Sequence, residues 1–248
     1  MNEISFFTEG NIEIIVGAGM HEFPYHTHNS FMAGAILEGC GEFCINGSSA
    51  ILYKGDCYIV PSDTGISIRP ICDFSYITIC LKEELAGKMK EYRCNRFYYS
   101  GLSNQLLELV TGLRMNLVNE RYFNERIVNI FDLYKGSNTV KSDITLKAVQ
   151  YMNNHCESKF CLDELAKAVF TSKYHLIRVF KNEMGITPKQ YHQQCRVREL
   201  KSLIFDSSPC NIAYLLNFSS QSHMNCIFKK YMGISLGSYR SAVKMNEQ

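Results

Sequence analysis

No stretch of the 248 residues approaches the roughly 18 uncharged apolar residues that cross a bilayer, so no membrane span is expected. The opening residues, MNEISFFTEGNIEIIVGAGM, lack the basic start of a secretory leader. The eleven cysteines are odd in number and contain no CxxC pair. Most lie in apolar runs, as Cys40, Cys44, Cys57, Cys72 and Cys80 do, where a free thiol acts as a small hydrophobe. That argues against a disulfide framework and for a reducing, cytosolic setting. No nucleophile, base and orienter stand together in either half, so neither an enzyme nor a cofactor is expected. Histidines are missing between His28 and His155, which leaves the N-terminal half short of a full set of metal ligands.

The net charge of +2 hides an asymmetry. Residues 1–140 carry 11 Lys and Arg against 16 Asp and Glu, whereas residues 141–248 carry 15 against 8. A basic terminal segment is the electrostatic footprint of a polyanion binder, because each neutralised phosphate releases condensed counterions. A solvated Lys-rich helical surface would carry the same charge, so a pattern is needed as well.

The hydrophobic period changes twice along the chain. From Ile12 to Leu81 short apolar runs (Phe31 to Leu37, Phe43 to Ile45, Ala50 to Tyr53, Tyr58 to Val60, Gly65 to Arg69, Phe74 to Leu81) alternate with turn signals, the pattern of an antiparallel sandwich or barrel over residues 1–81. Asn46-Gly47 is a type I′ hairpin dipeptide. Residues 82–134 turn helical: Leu102, Leu106, Leu109, Leu113 and Leu117 recur at steps of three and four, and Ile127, Ile130, Phe131 and Tyr134 continue in a second helix. That stripe either covers the sheet or forms a homodimer seam. Residues 135–142, polar and without period, form a linker. Residues 143–248 read as seven helices, punctuated by Ser172, Gly185, Pro188, Pro209, Ser220 and Gly233. The fold class is therefore α+β in two domains.

Within the basic segment the chain repeats itself once. Val179 to Tyr191 returns 48 residues later as Ile227 to Tyr239, with six of thirteen positions identical. Two copies are too few for a solenoid and read as a duplicated supersecondary unit with a repeated target. In the helix before the first Gly, Leu176, Val179, Phe180 and Met184 make an apolar stripe, which leaves Tyr174, Ile177, Arg178 and Lys181 on another face. The matching positions in the second copy are Ser222, Asn225, Cys226 and Lys229, with Gln221 just before them. Each helix follows a shorter one and a tight turn, the helix-turn-helix arrangement whose second helix enters the major groove.

Leu162-x-x-Leu165-Ala166, Ser172-x-x-His175-Leu176-x-Arg178-x-Phe180-Lys181, Gly185-Ile186-Thr187-x-x-x-Tyr191, Arg196, Ile212-Ala213, Phe218, Phe228-Lys229-Lys230, Gly233-Ile234-Ser235 and Tyr239-Arg240 resemble the AraC/XylS family of bacterial transcription regulators. The resemblance implies two helix-turn-helix units joined by the helix Pro188 to Phe205, reading successive major-groove segments about 34 Å apart on double-stranded DNA. Candidate DNA contacts are Ser172, Lys173, Tyr174, Ile177, Arg178 and Lys181 in the first unit, and Ser220, Gln221, Ser222, Asn225, Cys226, Lys229 and Lys230 in the second. The family commonly has Gly at the position of Asn217, and Asn tolerates the left-handed conformation. It often has Arg where Cys226 stands. A thiol cannot make the bidentate contact to guanine, so the first unit is expected to carry more of the discrimination.

Pro24-x-His26-x-His28, Glu38-Gly39-x-Gly41, Gly55-Asp56 and Val60-Pro61 resemble the cupin-type sensing barrel that many members of that family carry. His26 and His28, at i and i+2, are expected on one face of a strand as residues that hydrogen-bond a small-molecule effector in the barrel. The carboxylate and third His of a metal-binding cupin are missing, so no metal is assigned. The resemblance further implies a homodimer, RNA polymerase as a partner, and activation rather than repression. Alternatives are control by a partner protein in place of a small molecule, a metal-dependent cupin fused to a DNA-binding domain, and RNA binding.

Overall fold

The computed structural model describes residues 3–89, 98–100, 102–132 and 141–244. It divides into two units: Met1–Glu22, His28–Thr139 and Ala242–Gln248 form the first, and Phe23–Thr27 with Val140–Ser241 form the second. The strands are β1 (Glu3–Glu9), β2 (Ile12–Gly19), β3 (Phe23–Thr27), β4 (Phe31–Glu38), β5 (Cys40–Ile45), β6 (Ser48–Tyr53), β7 (Asp56–Val60), β8 (Gly65–Pro70) and β9 (Phe74–Leu81). There follow α1 (Glu83–Lys88), β10 (Tyr98–Ser100), α2 (Ser103–Arg114) and α3 (Glu120–Asp132).

In the first unit one antiparallel sheet has the order β1-β2-β9-β4-β7-β10, and β8, β5 and β6 run side by side in another. Asn46 and Gly47 take φ of 50° and 79°, as a type I′ turn between β5 and β6 requires. Strand β4 is apolar and buried from Phe31 to Ile36 because both its faces are covered there. Phe31, Ala33 and Ala35 pack into a core with Leu106, Val110, Phe123 and Ile127, and the Phe31 and Phe131 rings lie 5.0 Å apart. On the opposite face, a Cβ at Gly34 would strike the Tyr58 ring at 2.3 Å, so the glycine makes room for that side chain. The Tyr58 ring packs on Phe43 at 5.0 Å, and its hydroxyl is 2.6 Å from Thr78 Oγ1. Rings from the two sheets thus meet in the interior.

Several expectations change here. Leu102, Leu106, Leu109 and Leu113 are buried in the core of a single chain, against the strands and α3, so the stripe is spent on covering the sheet and is not free to be a dimer seam. The exception is Leu117, beyond the end of α2, which is 75% exposed. Residues 82–134 are not wholly helical, since β10 pairs antiparallel with β7. β1, a strand not foreseen, closes the edge beside β2 and buries Phe6. Cys57 and Cys80 are buried as expected, but Cys40 is half-buried and Cys72 is exposed. Residues 133–140, with most of the expected linker, lie outside the described residues.

The second unit holds α4 (Asp143–Asn154), α5 (Leu162–Ala168), α6 (Lys173–Met184), α7 (Pro188–Leu203), α8 (Pro209–Leu215), α9 (Gln221–Met232) and α10, which begins there and spans Leu236–Lys244. Hydroxyls start most of these helices. Ser142, Ser172, Thr187, Ser208 and Ser220 each accept a backbone N–H from the first turn, and Gln190 completes a capping box with Thr187. Gly185 and Gly233 end α6 and α9 in left-handed conformation, their N–H groups donating to the Lys181 and Lys229 carbonyls at 2.9 Å.

Strand β3 groups with this unit through its contacts. The backbone N–H and the hydroxyl of Thr27 both donate to Gln194 Oε1 at 2.9 Å, and Arg198 donates to the Thr27 carbonyl at 3.3 Å. No helix among the described residues is long and apolar enough to cross a membrane.

Candidate nucleic-acid interface

The repeat in the sequence is a repeat in space. Phe180 meets Tyr191 edge-on, with ring centroids 5.6 Å apart and planes at 77°; 48 residues later Phe228 meets Tyr239 at 5.4 Å and 66°. Each pair locks a recognition helix to the helix that follows it, and an edge-to-face pair stabilises by about 1 kcal/mol beyond its burial. Leu176, Phe180 and Met184 in α6, and Met224, Phe228 and Tyr231 in α9, face the core.

Most of the positions named from the sequence as candidate DNA contacts lie on the outer faces of these helices. In the first helix-turn-helix unit Ser172, Lys173, Tyr174, Arg178 and Lys181 are exposed and Ile177 is half-buried, with Tyr174 at 85% exposure. Lys173 pairs with Asp163 of α5 at 2.9 Å, and an Arg178 guanidinium nitrogen lies 3.2 Å from His175 Nδ1. In the second unit Ser220, Gln221, Ser222, Cys226, Lys229 and Lys230 are exposed. Asn225 is half-buried, and its Oδ1 is turned inward and finds no hydrogen-bond partner among the described residues. The Ser172 and Ser220 hydroxyls already serve as caps, accepting from the His175 and His223 backbone N–H groups at 3.3 and 3.0 Å.

The two turns share one backbone plan. Phe170 N–H donates to Lys167 O and Thr171 N–H to Ala166 O; in the second unit Asn217 N–H donates to Tyr214 O and Phe218 N–H to Ala213 O. Phe170 and Asn217 hold the left-handed position, at φ of 55° and 53°. Asn217 also donates its side-chain amide to Glu157 O at 2.6 Å. Phe170, which sequence reasoning passed over, is 91% exposed and lacks glycine's freedom in the left-handed conformation.

The connecting helix α7 is buried nearly all round, through Pro188, Tyr191, His192, Gln194, Cys195, Val197 and Leu200. His192 Nε2 is 3.1 Å from the His155 carbonyl, and burial holds its pKa below the usual histidine value. Arg196, quoted from the sequence without a role, is the link to the second unit: its guanidinium lies 3.9 Å over the Phe218 ring, and Nε donates to the Leu216 carbonyl at 2.5 Å. That carbonyl is at the end of α8, where helical acceptors run out of partners. The signal in the sequence was an arginine set in a helix with little polar periodicity.

His26 and His28 do not share a strand face. β3 ends at Thr27, and the two histidines fall in different units. His26 is buried, with Nδ1 2.6 Å from the Pro24 carbonyl and its ring 6.3 Å from that of Tyr231. His28 is half-buried, its carbonyl accepting from Asp63 N–H at 2.7 Å. Among the described residues no three His, Cys, Asp or Glu side chains are grouped to hold a metal.

Residues 165–242 match the family described as Helix-turn-helix domain. Over 227 residues the chain is 26% identical to the HTH-type transcriptional regulator YbfI of Bacillus subtilis, covering 83% of this chain and 82% of that protein. Over 230 residues it is 23% identical to the probable transcriptional regulator LumQ of Photobacterium leiognathi, covering 89% and 93%. The crystal structure of ToxT from Vibrio cholerae O395 superposes with a TM-score of 0.66 over 95% of this chain and 99% of ToxT, at 14% identity, a likeness of fold. Residues 165–242 thus form a helix-turn-helix domain built as two units on one plan, and the chain is similar along most of its length to proteins named as transcriptional regulators.

Proposed function

We propose that the chain binds duplex DNA by setting α6 and α9 into successive major-groove segments, and that a small molecule held by the first unit governs this binding. The observation that carries the reading is the pair of capped recognition helices, each with its apolar face buried and a polar, partly cationic face exposed. Arg178 supplies the bidentate donor for a guanine in the first segment, with Tyr174 and Ile177 beside it. Lys229 and Lys230 anchor phosphates in the second, with Gln221, Ser222 and Cys226 at the base edges.

ToxT has been crystallised with an unsaturated fatty acid bound, and the shared fold makes small molecules the first class of effector to screen. A ligand can bias the equilibrium only as far as it prefers one arrangement over the other. Activation through RNA polymerase, a homodimer and a cytoplasmic location complete the proposal.

The test is footprinting of the purified chain on its source DNA at two salt concentrations, beside Arg178→Ala. The expected result is a few sharp sites, each with two adjacent protected segments, and a loss of about 1 to 3 kcal/mol in the variant at those sites alone. Diffuse binding erased by salt, or an equal loss on random DNA, would overturn the assignment.

A further inference from the structure

The sulfurs of Cys40 and Cys72 lie 3.5 Å apart at the surface of the first unit. Neither is part of the DNA interface or of the core. Cys40 begins β5, just after Gly39, where the chain leaves β4 of one sheet for β5 of the other. Cys72 sits in the loop by which β8 of the second sheet returns to β9 of the first. The two crossings touch: a Cβ at Gly39, which holds φ of 75°, would meet the Asp73 carbonyl oxygen at 2.1 Å, and the Ile71 N–H donates to the Cys40 carbonyl at 3.2 Å. Thirty-two residues of chain are thus closed into a loop whose ends carry two solvent-reachable thiols.

We propose that Cys40 and Cys72 form a reversible oxidation site, a dithiol that hydrogen peroxide converts to a disulfide joining the two crossings. Cys72 is the exposed sulfur, and it accepts the Cys40 backbone N–H at 3.2 Å. Its thiolate attacks the peroxide oxygen; the O–O bond breaks, Cys72 becomes a sulfenic acid, and the leaving hydroxide takes a proton to become water. Cys40 then attacks the sulfenic sulfur, the S–S bond forms, and the hydroxyl leaves with the Cys40 proton as a second water. Two thiols and one peroxide give one disulfide and two waters. The hydrogen bond to Cys72 holds the Cys40 thiol above its ordinary pKa, which fits the resolving partner that keeps its proton until the second step. Bond formation requires the sulfurs to close to about 2 Å, a movement within reach of side-chain rotation on two surface turns. In a reducing compartment such a disulfide is transient, formed under oxidant and reversed by thiol exchange.

The experiment uses the full chain, reduced and then treated with hydrogen peroxide, with blocked thiols and non-reducing peptide mapping by mass spectrometry. The expected product is a Cys40–Cys72 linked peptide, a loss of two hydrogens from the intact mass, and a rise in Tm, all reversed by dithiothreitol. Cys40→Ser should abolish the link and leave a dimedone-trapped sulfenic acid on Cys72. Cys72→Ser should abolish the link and leave Cys40 largely unlabelled. The proposal is overturned if the wild-type chain gives no such peptide at a peroxide dose that already oxidises exposed Cys210 or Cys226, or if Cys40 and Cys72 each link to other cysteines before they link to one another.

Discussion

The guanidinium of Arg196 sits 3.9 Å above the ring of Phe218 while its Nε binds the Leu216 carbonyl. One side chain of the connecting helix thereby grips both sides of the turn in the second helix-turn-helix unit. Replacing Arg196 by Ala removes a cation–π contact and a charge-assisted hydrogen bond and leaves a helix-end carbonyl without its donor. A loss of about 2 to 3 kcal/mol in urea unfolding is expected. Arg196→Lys should recover little, since an ammonium cannot stack and donate in the same geometry. Footprinting of the Ala variant should lose the segment read by α9 before that read by α6. Equal weakening of both segments would show that the grip does not set the pose of the second unit.

Phe170 and Asn217 occupy one backbone position in the two turns, and only Asn is suited to it. Phe170→Asn relieves left-handed strain and gives up no packing, as the side chain is almost fully exposed. The variant should be more stable by about 0.5 to 1 kcal/mol, visible as a Tm higher by a few degrees. An unchanged or lower Tm would mean that the phenyl ring is held by contacts formed in solution.

His26 is neutral in the folded chain because burial lowers its pKa to about 4, with the Pro24 carbonyl opposing the shift and Arg198 adding to it. The unfolded chain takes up the proton near pH 6.5. The stability this group contributes is therefore complete above pH 6.5 and lost as pH falls toward 4, to an extent of roughly 3 kcal/mol. His26→Gln should flatten that part of the stability profile measured by denaturant titration at several pH values. A profile of unchanged slope would assign the acid sensitivity to other groups, His192 foremost, whose pKa burial also lowers.

Leu106 is fully buried between the strands and α3. Leu106→Ala should cost about 2 to 4 kcal/mol in unfolding free energy and leave the sedimentation mass of the surviving folded protein unchanged. If the first unit does self-associate, the exposed Leu117 is the leucine of that stripe available to the contact, and Leu117→Lys should be the change that shifts the mass.

The sequence carried most of the second unit in readable form because its signals are local. Ser172 and Ser220 cap, Gly185 and Gly233 stop, and a period of three and four residues separates the buried face from the exposed one. Asn46-Gly47 did the same for one hairpin. What stayed hidden depends on partners distant in the chain. A leucine stripe announces that a helix face is covered but not by what, and here the cover is the chain's own sheet. Residues 23–27 look like any other strand until Gln194 supplies acceptors 167 residues away. Cys40 and Cys72 read as small hydrophobes within apolar runs, and their facing one another is a product of two chain crossings. Asn225 lies on the helical face expected to read DNA, yet its carbonyl oxygen turns inward, a rotamer choice that spacing does not determine.

The two copies share the Phe and Tyr that join their helices and differ at most of the exposed positions expected to read DNA. Phe180 and Tyr191 return as Phe228 and Tyr239, but Tyr174, Ile177 and Arg178 return as Ser222, Asn225 and Cys226. A single chain built this way would not find the same bases twice. On the proposed reading, its site on DNA would have a head and a tail, and inverting that site would exchange the segments met by α6 and α9.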